Sequence, residues 1–197
     1  MLFDREELSI LVVSVSDKIY DILPDLLKDR FHTHIHRASS VGEAKRIILL
    51  KDFDLLVVNA PLKDESGIDF AAGSAAENSA GVLLLINNEY YEQVLDKVME
   101  YGVLTVSKPL SRQALYEAVN LLVATNYRLK KVKKKNEKLT AKMAELRILN
   151  RAKWILIENL GLSEQEAHRV IEKQAMDERQ SKCEVCETII RTYGTEK

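Results

Sequence analysis

Cysteine is nearly absent. The chain has two in 197 residues, Cys183 and Cys186, too few for a disulfide framework and suited to a reducing compartment. They form a lone CxxC with no second pair, and Ser181 caps the same turn. Core packing is therefore expected, in preference to zinc or redox chemistry. Long apolar runs are also missing, so no segment is expected to cross a membrane. The start, Met1-Leu2-Phe3-Asp4-Arg5-Glu6-Glu7, is acidic and lacks the basic-then-apolar order of a signal peptide. A cytoplasmic chain is expected. No nucleophile–base pair, metal cluster or phosphate loop can be read, so neither an enzyme nor a cofactor is expected.

Charge is balanced overall, at −1, but unevenly placed. Residues 1–107 carry a net −8 and residues 108–197 a net +7. An acidic front and a basic back predict two units, with any polyanion bound by the second.

The front half alternates strand-length apolar runs with helical stretches. Leu8–Val15 precedes Asp17–Arg30, and His34–Ala38 precedes "SSVGEAKRIILLKD", where Ser40 and Glu43 have capping-box spacing. Leu55–Val58 precedes the alanine-rich 68–77. Gly81–Ile86 precedes Glu89–Glu100, and Val103–Ser107 precedes a helix starting near Ser111. This order predicts an α/β fold, a (βα)5 parallel sheet covered on both faces.

Five such units with "SKPL" after the fifth strand resemble the receiver domain of bacterial response regulators, over about residues 8–121. That family holds Mg²⁺ with an acidic pair after the first strand and phosphorylates an Asp after the third. It also uses a Ser/Thr after the fourth strand and a Lys after the fifth. The acidic pair falls here at Ser14 and Val15, the phospho-acceptor at Asn59, the Ser/Thr at Ile86 and the Lys at Lys108. Gly67 fits the loop that follows Asn59. Mg²⁺ needs hard carboxylate oxygens, which Ser14 and Val15 lack, and an amide cannot form an acyl phosphate. Asp17 and Asp64 lie nearby but not at the aligned positions. The resemblance thus implies a pseudo-receiver over 1–121, with Lys108 bonding Asn59 or a loop carbonyl.

"HTHIH" sets His32, His34 and His36 on one face of a strand, a spacing open to a metal or to a plain edge strand. No metal site is expected, since no carboxylate or Cys lies beside them.

From Ser111 to Gly161 no Pro or Gly interrupts a helical pattern. A heptad counted from Leu115 puts Leu115, Leu122, Leu129, Asn136, Met143 and Asn150 at a. Ala118, Thr125, Val132, Leu139 and Leu146 stand at d. A homodimeric coiled coil is predicted over 122–147, with Leu122, Leu129, Val132, Asn136, Leu139, Met143 and Leu146 as its seam. The mid-seam Asn136 would fix register. A single long helix packed on its own domain is the alternative. The run "RLKKVKKKNEK" adds seven cations, from Arg128 to Lys138, against one acid, Glu137.

The remaining stretch, 148–197, has capping boxes at Ser163/Glu166 and Ser181/Glu184 and a helix stop at Gly161. Three helices are expected, with Ala152, Ile155, Leu156, Ala167, Val170, Ile171, Ala175, Val185, Cys186 and Ile189 as their core. Arg151-Ala152-Lys153, Gly161-Leu162-Ser163, Glu166-Ala167, Ala175-Met176 and Val185 closely resemble the ANTAR domain of bacterial antiterminators. Trp154 stands where that family usually has Gly, Lys182 near an apolar position and Cys186 for the usual Ala. The resemblance implies an RNA-binding module that recognises paired stem-loops in a transcript leader. The layout is similar to the amidase-operon type of antiterminator. RNA contacts are expected from Arg151, Lys153, His168, Arg169, Lys173, Arg179 and Lys182.

The expected function is therefore transcription antitermination through leader stem-loops, with a regulatory protein docking on the pseudo-receiver. The alternatives are a DNA-binding response regulator and a coiled-coil scaffold. The third helix carries only Lys182 and Arg191, thin for reading a major groove.

Overall fold

A computed structural model describes residues 6–194. Five parallel strands, β1 (Glu6–Ser14), β2 (Phe31–Ala38), β3 (Leu55–Asn59), β4 (Gly81–Asn87) and β5 (Leu104–Lys108), form one sheet in the order β2-β1-β3-β4-β5. The helices between them are α1 (Lys18–Leu27), α2 (Val41–Ile48), α3 (Ile68–Glu77) and α4 (Tyr91–Val98). After β5 come α5 (Arg112–Leu160), α6 (Glu164–Asp177) and α7 (Lys182–Tyr193). The chain divides into two compact units at Lys131/Val132.

Strand alternation builds the front unit's two cores. Leu11, Val13, Leu56, Val58, Leu84 and Ile86 point to one side, onto α2, α3 and α4. Ile10, Val12, Leu55, Val57, Leu83 and Leu85 point to the other, onto α1 and the first turns of α5. Because both faces are covered, the central strands are apolar throughout, as a parallel sheet requires.

Several boundaries differ from the sequence pattern. β1 stops at Ser14, so Val15 lies in the following loop, 51% exposed. β2 starts three residues earlier than expected and includes His32. The fourth helical stretch is tightened at both ends into 3-10 turns, Asn88–Tyr90 and Met99–Tyr101. Edge strand β2 exposes His32 and His34, while the His36 ring meets Phe53 edge-on at 5.3 Å. Among the described residues no group of His, Cys, Asp or Glu is arranged to hold a metal.

Leu122 is corrected. It packs with Leu115, Ala118 and Val119 in the front core, so it faces its own sheet and not a partner helix. The front unit also holds the next turn of α5. Asn126 Nδ2 donates to the Asp54 carbonyl at 2.6 Å, and Lys130 Nζ reaches the Asp54 carboxylate at 2.5 Å. The heptad could not reveal this, because a helix covering a sheet and a helix facing a partner both repeat apolar residues every three or four positions.

In the C-terminal unit, Ala152, Leu156, Ala167, Ile171, Ala175, Val185, Cys186 and Ile189 form the core. Val170 is corrected to the surface, 39% exposed. Both capping boxes are complete: Ser163 and Ser181 accept from the backbones of Glu166 and Glu184, whose carboxylates reach back to the cap amides. Gly161 ends α5 at φ +66°, in the left-handed region where a Cβ would be strained.

Candidate nucleic-acid interface and the carboxyl end of the sheet

Chemistry in an open α/β sheet gathers beyond the carboxyl ends of the strands. Here β1 and β3 end in register on Ser14 and Asn59. Asn59 Nδ2 donates to Ser14 Oγ at 2.8 Å. Ser14 Oγ also accepts from Ser16 N at 3.0 Å and donates to Ser16 O at 2.9 Å. A hydroxyl has one donor and two acceptor positions, so this buried one is fully used. Buried Ile86 closes the β4 side. The Lys108 ammonium donates to the Ala60 carbonyl, and burial pushes its pKa down. The neighbouring Tyr20 hydroxyl, also buried, lies 3.0 Å from Ser14 O and 2.9 Å from Ala38 O, tying the end of β1 to β2.

The nearby carboxylates are placed elsewhere. Asp64 accepts from the amides of Val41 at 2.9 Å and Gly42 at 3.0 Å, capping α2, and those two bonds hold its pKa down. Exposed Asp17 begins α1. The loop from Asn59 to α3 closes at Gly67, φ +83°. A Cβ there would come 3.0 Å from Val58 Cγ1 and 3.1 Å from Leu62 Cδ1, so only glycine fits.

The C-terminal unit sorts the seven candidate cations into two groups. Lys153 is 14% exposed at its side chain and pairs with Glu164 at 2.9 Å. Glu172 takes Lys182 at 2.6 Å and His168 at 3.3 Å. These bonds, with Lys153 acting on Glu164 and Lys182 on Glu172, keep both carboxyls below their ordinary range. Lys153, His168 and Lys182 are thus engaged within the unit. Arg151, Arg169, Lys173 and Arg179 are exposed, and among the described residues their side chains make no hydrogen bond or close ion pair, though Arg169 acts electrostatically on Glu166.

Arg179 follows α6 at φ +54°, left-handed for a residue with a Cβ, and Gln180 N closes the turn on Ala175 O at 3.0 Å. Arg147, missed by the sequence reading, is exposed one turn before Arg151. Its i, i+4 spacing to Arg151 was the available signal. On α5, Leu129 at the end of the front unit and Val132, Leu139, Met143 and Leu146 in the C-terminal unit are each about half exposed. Cys186 is buried and Cys183 half-buried, and burial raises both thiol pKa values, keeping them neutral near pH 7.

Residues 137–190 match the ANTAR domain family. The transcriptional regulatory protein PdtaR of Mycobacterium tuberculosis, in strains CDC 1551 and H37Rv, is 24% identical over 176 residues. That match covers 89% of this chain and 85% of PdtaR. The fold is similar to the signal receiver domain of an HD domain-containing protein from Pseudomonas fluorescens Pf-5. The TM-score is 0.55 at 22% identity, over 66% of this chain and 96% of that one. A response regulator receiver domain protein from Clostridium thermocellum matches with a TM-score of 0.52 at 21% identity, over 62% of this chain and 98% of that one. The front unit therefore has the receiver fold. The ANTAR match, residues 137–190, follows it in the sequence.

Proposed function

We propose that this protein is a non-enzymatic transcription antiterminator that binds RNA stem-loops through its ANTAR domain. The observation that carries the reading is the ANTAR match over residues 137–190, which includes exposed Arg151, Arg169, Lys173 and Arg179. Unpaired cations on a folded surface suit phosphate, because binding breaks no existing ion pair. The name of PdtaR, a transcriptional regulatory protein, supports the same class.

The front domain acts as a receiver fold without phosphorelay chemistry. Its input is a protein docking on it, because Ser14, Asn59 and Lys108 already satisfy one another or nearby backbone. The active form is a homodimer through the open stripe from Leu129 to Leu146. Duplex DNA is the poorer ligand: Lys182 is held by Glu172, leaving Arg191 as the free cation of α7 among the described residues. The test is binding of the full chain to hairpin RNA and to duplex DNA at one salt concentration. Salt-sensitive binding to hairpin RNA with little to duplex DNA is expected. Equal or stronger binding to duplex DNA overturns the reading.

A further inference from the structure

Trp154 is the chain's single tryptophan, and it is 66% exposed. On α5 it sits half a turn away from Ala152, the buried position of that turn, so the core of the unit closes without it. Arg147, Arg151, Trp154 and Glu158 recur at i, i+4, i+7 and i+11, which places them on one outward stripe. Glu158 is its one acid, at the far end. α6 repeats the pattern: Arg169, Lys173 and Met176 stand opposite Ala167, Ile171 and Ala175, with Met176 73% exposed.

A large indole held in water next to Arg151 and Arg147, with Glu158 on its other side, suits a ligand that offers a flat π-face and phosphate on the arginine side. We infer that Trp154 is a stacking platform for an unpaired nucleobase of a bound RNA loop, with Arg147 and Arg151 on the adjoining phosphates. Every base has a π-face, so such stacking adds affinity without demanding a sequence. A second copy of the chain is the less fitting occupant. The heptad seam meets polar Asn150 at its next a position. At its next d position stands Lys153, whose ammonium is committed to Glu164. The apolar seam therefore ends at Leu146, short of the indole. The inference rests on the RNA-binding reading and extends it to one residue.

A lone tryptophan makes the contact directly readable. The full chain is titrated with a pool of RNA hairpins carrying randomised loops and, separately, with the same stem as a blunt duplex. Binding is followed by gel mobility and by tryptophan emission. Saturable quenching by hairpins and not by the duplex is expected. Trp154→Ala should lose about 5- to 160-fold in hairpin affinity. Trp154→Phe, which keeps an aromatic face, should lose much less. Hairpin binding with unchanged emission and unchanged Trp154→Ala affinity overturns the inference and leaves RNA binding standing. Emission that changes on dilution without RNA assigns the indole to a chain–chain contact and also overturns it. No hairpin binding by any variant removes the RNA reading itself.

Discussion

Asn59 Nδ2 lies 2.8 Å from Ser14 Oγ, joining the last residues of two paired strands where a receiver would gather acidic side chains. The contact is a hydrogen bond between two neutral side chains, and neither of them is a carboxylate. Incubating the full chain with Mg²⁺ and a small phosphodonor should leave its mass unchanged. Added phosphate on any residue of the loop after β3 would contradict this. Ser14→Ala should destabilise the front unit by about 1–3 kcal/mol, because it strands the Asn59 amide in a half-buried place. Urea unfolding measures that loss, and an unchanged midpoint would mean the bond contributes nothing.

Leu122 and Leu139 look alike in the heptad and should behave differently. Leu122→Ala opens a cavity in the front core and should cost about 2–5 kcal/mol of that unit's stability. Leu139→Ala removes a side chain that is 53% exposed, so it should spare unfolding and weaken dimer association. Asn136→Leu should tighten association and loosen the choice between two and three strands. Sedimentation as a function of concentration reads both seam variants. A chain that stays monomeric at micromolar concentration would remove the seam.

Acid should loosen the C-terminal unit through its two caps. Hydrogen bonds with Ser163 and Ser181 hold the carboxyls of Glu166 and Glu184 below the ordinary 4.5. A lowered folded pKa adds stability that is fully present above 4.5 and lost as pH falls through the folded value. Glu166→Gln with Glu184→Gln keeps a capping box while removing the charge. Below pH 4.5 the wild-type melting temperature should fall more steeply than the variant's. Parallel curves would show that the caps carry no proton linkage.

The sequence alone revealed what depends on local pattern. The five βα units follow from apolar runs, and the helix starts from Ser163 and Ser181. What escaped it depends on which surface meets which. Leu122 reads as seam until its sheet is seen, and Val170 reads as core until α6 is turned. Lys153 reads as a free cation until Glu164, on the next helix, is found 2.9 Å away. Charge counting weights every lysine equally, whereas folding neutralises some and leaves others open.

A receiver fold that takes no phosphate, as proposed for the front unit, needs another differential interaction to shift its output. Opposite net charges, −4 on residues 1–131 and +3 on residues 132–197, suggest one to test: electrostatic masking of the RNA-binding cations by the front unit. Removing the front tests this, but a cut at residue 110 would leave Leu115, Ala118, Val119 and Leu122 without their sheet. The cut belongs at Lys131/Val132, where the compact units divide. Masking between exposed charges fades with salt, as RNA binding does, so both proteins must be compared at one ionic strength. Equal hairpin affinity of the full chain and residues 132–197 is expected, which assigns control to a protein that docks on the front unit. Tighter binding by the truncated protein would instead make the front unit an intrinsic lid. The first outcome is favoured because the polar groups at the carboxyl end of the sheet are already paired, leaving the outer surface of the unit to receive a signal.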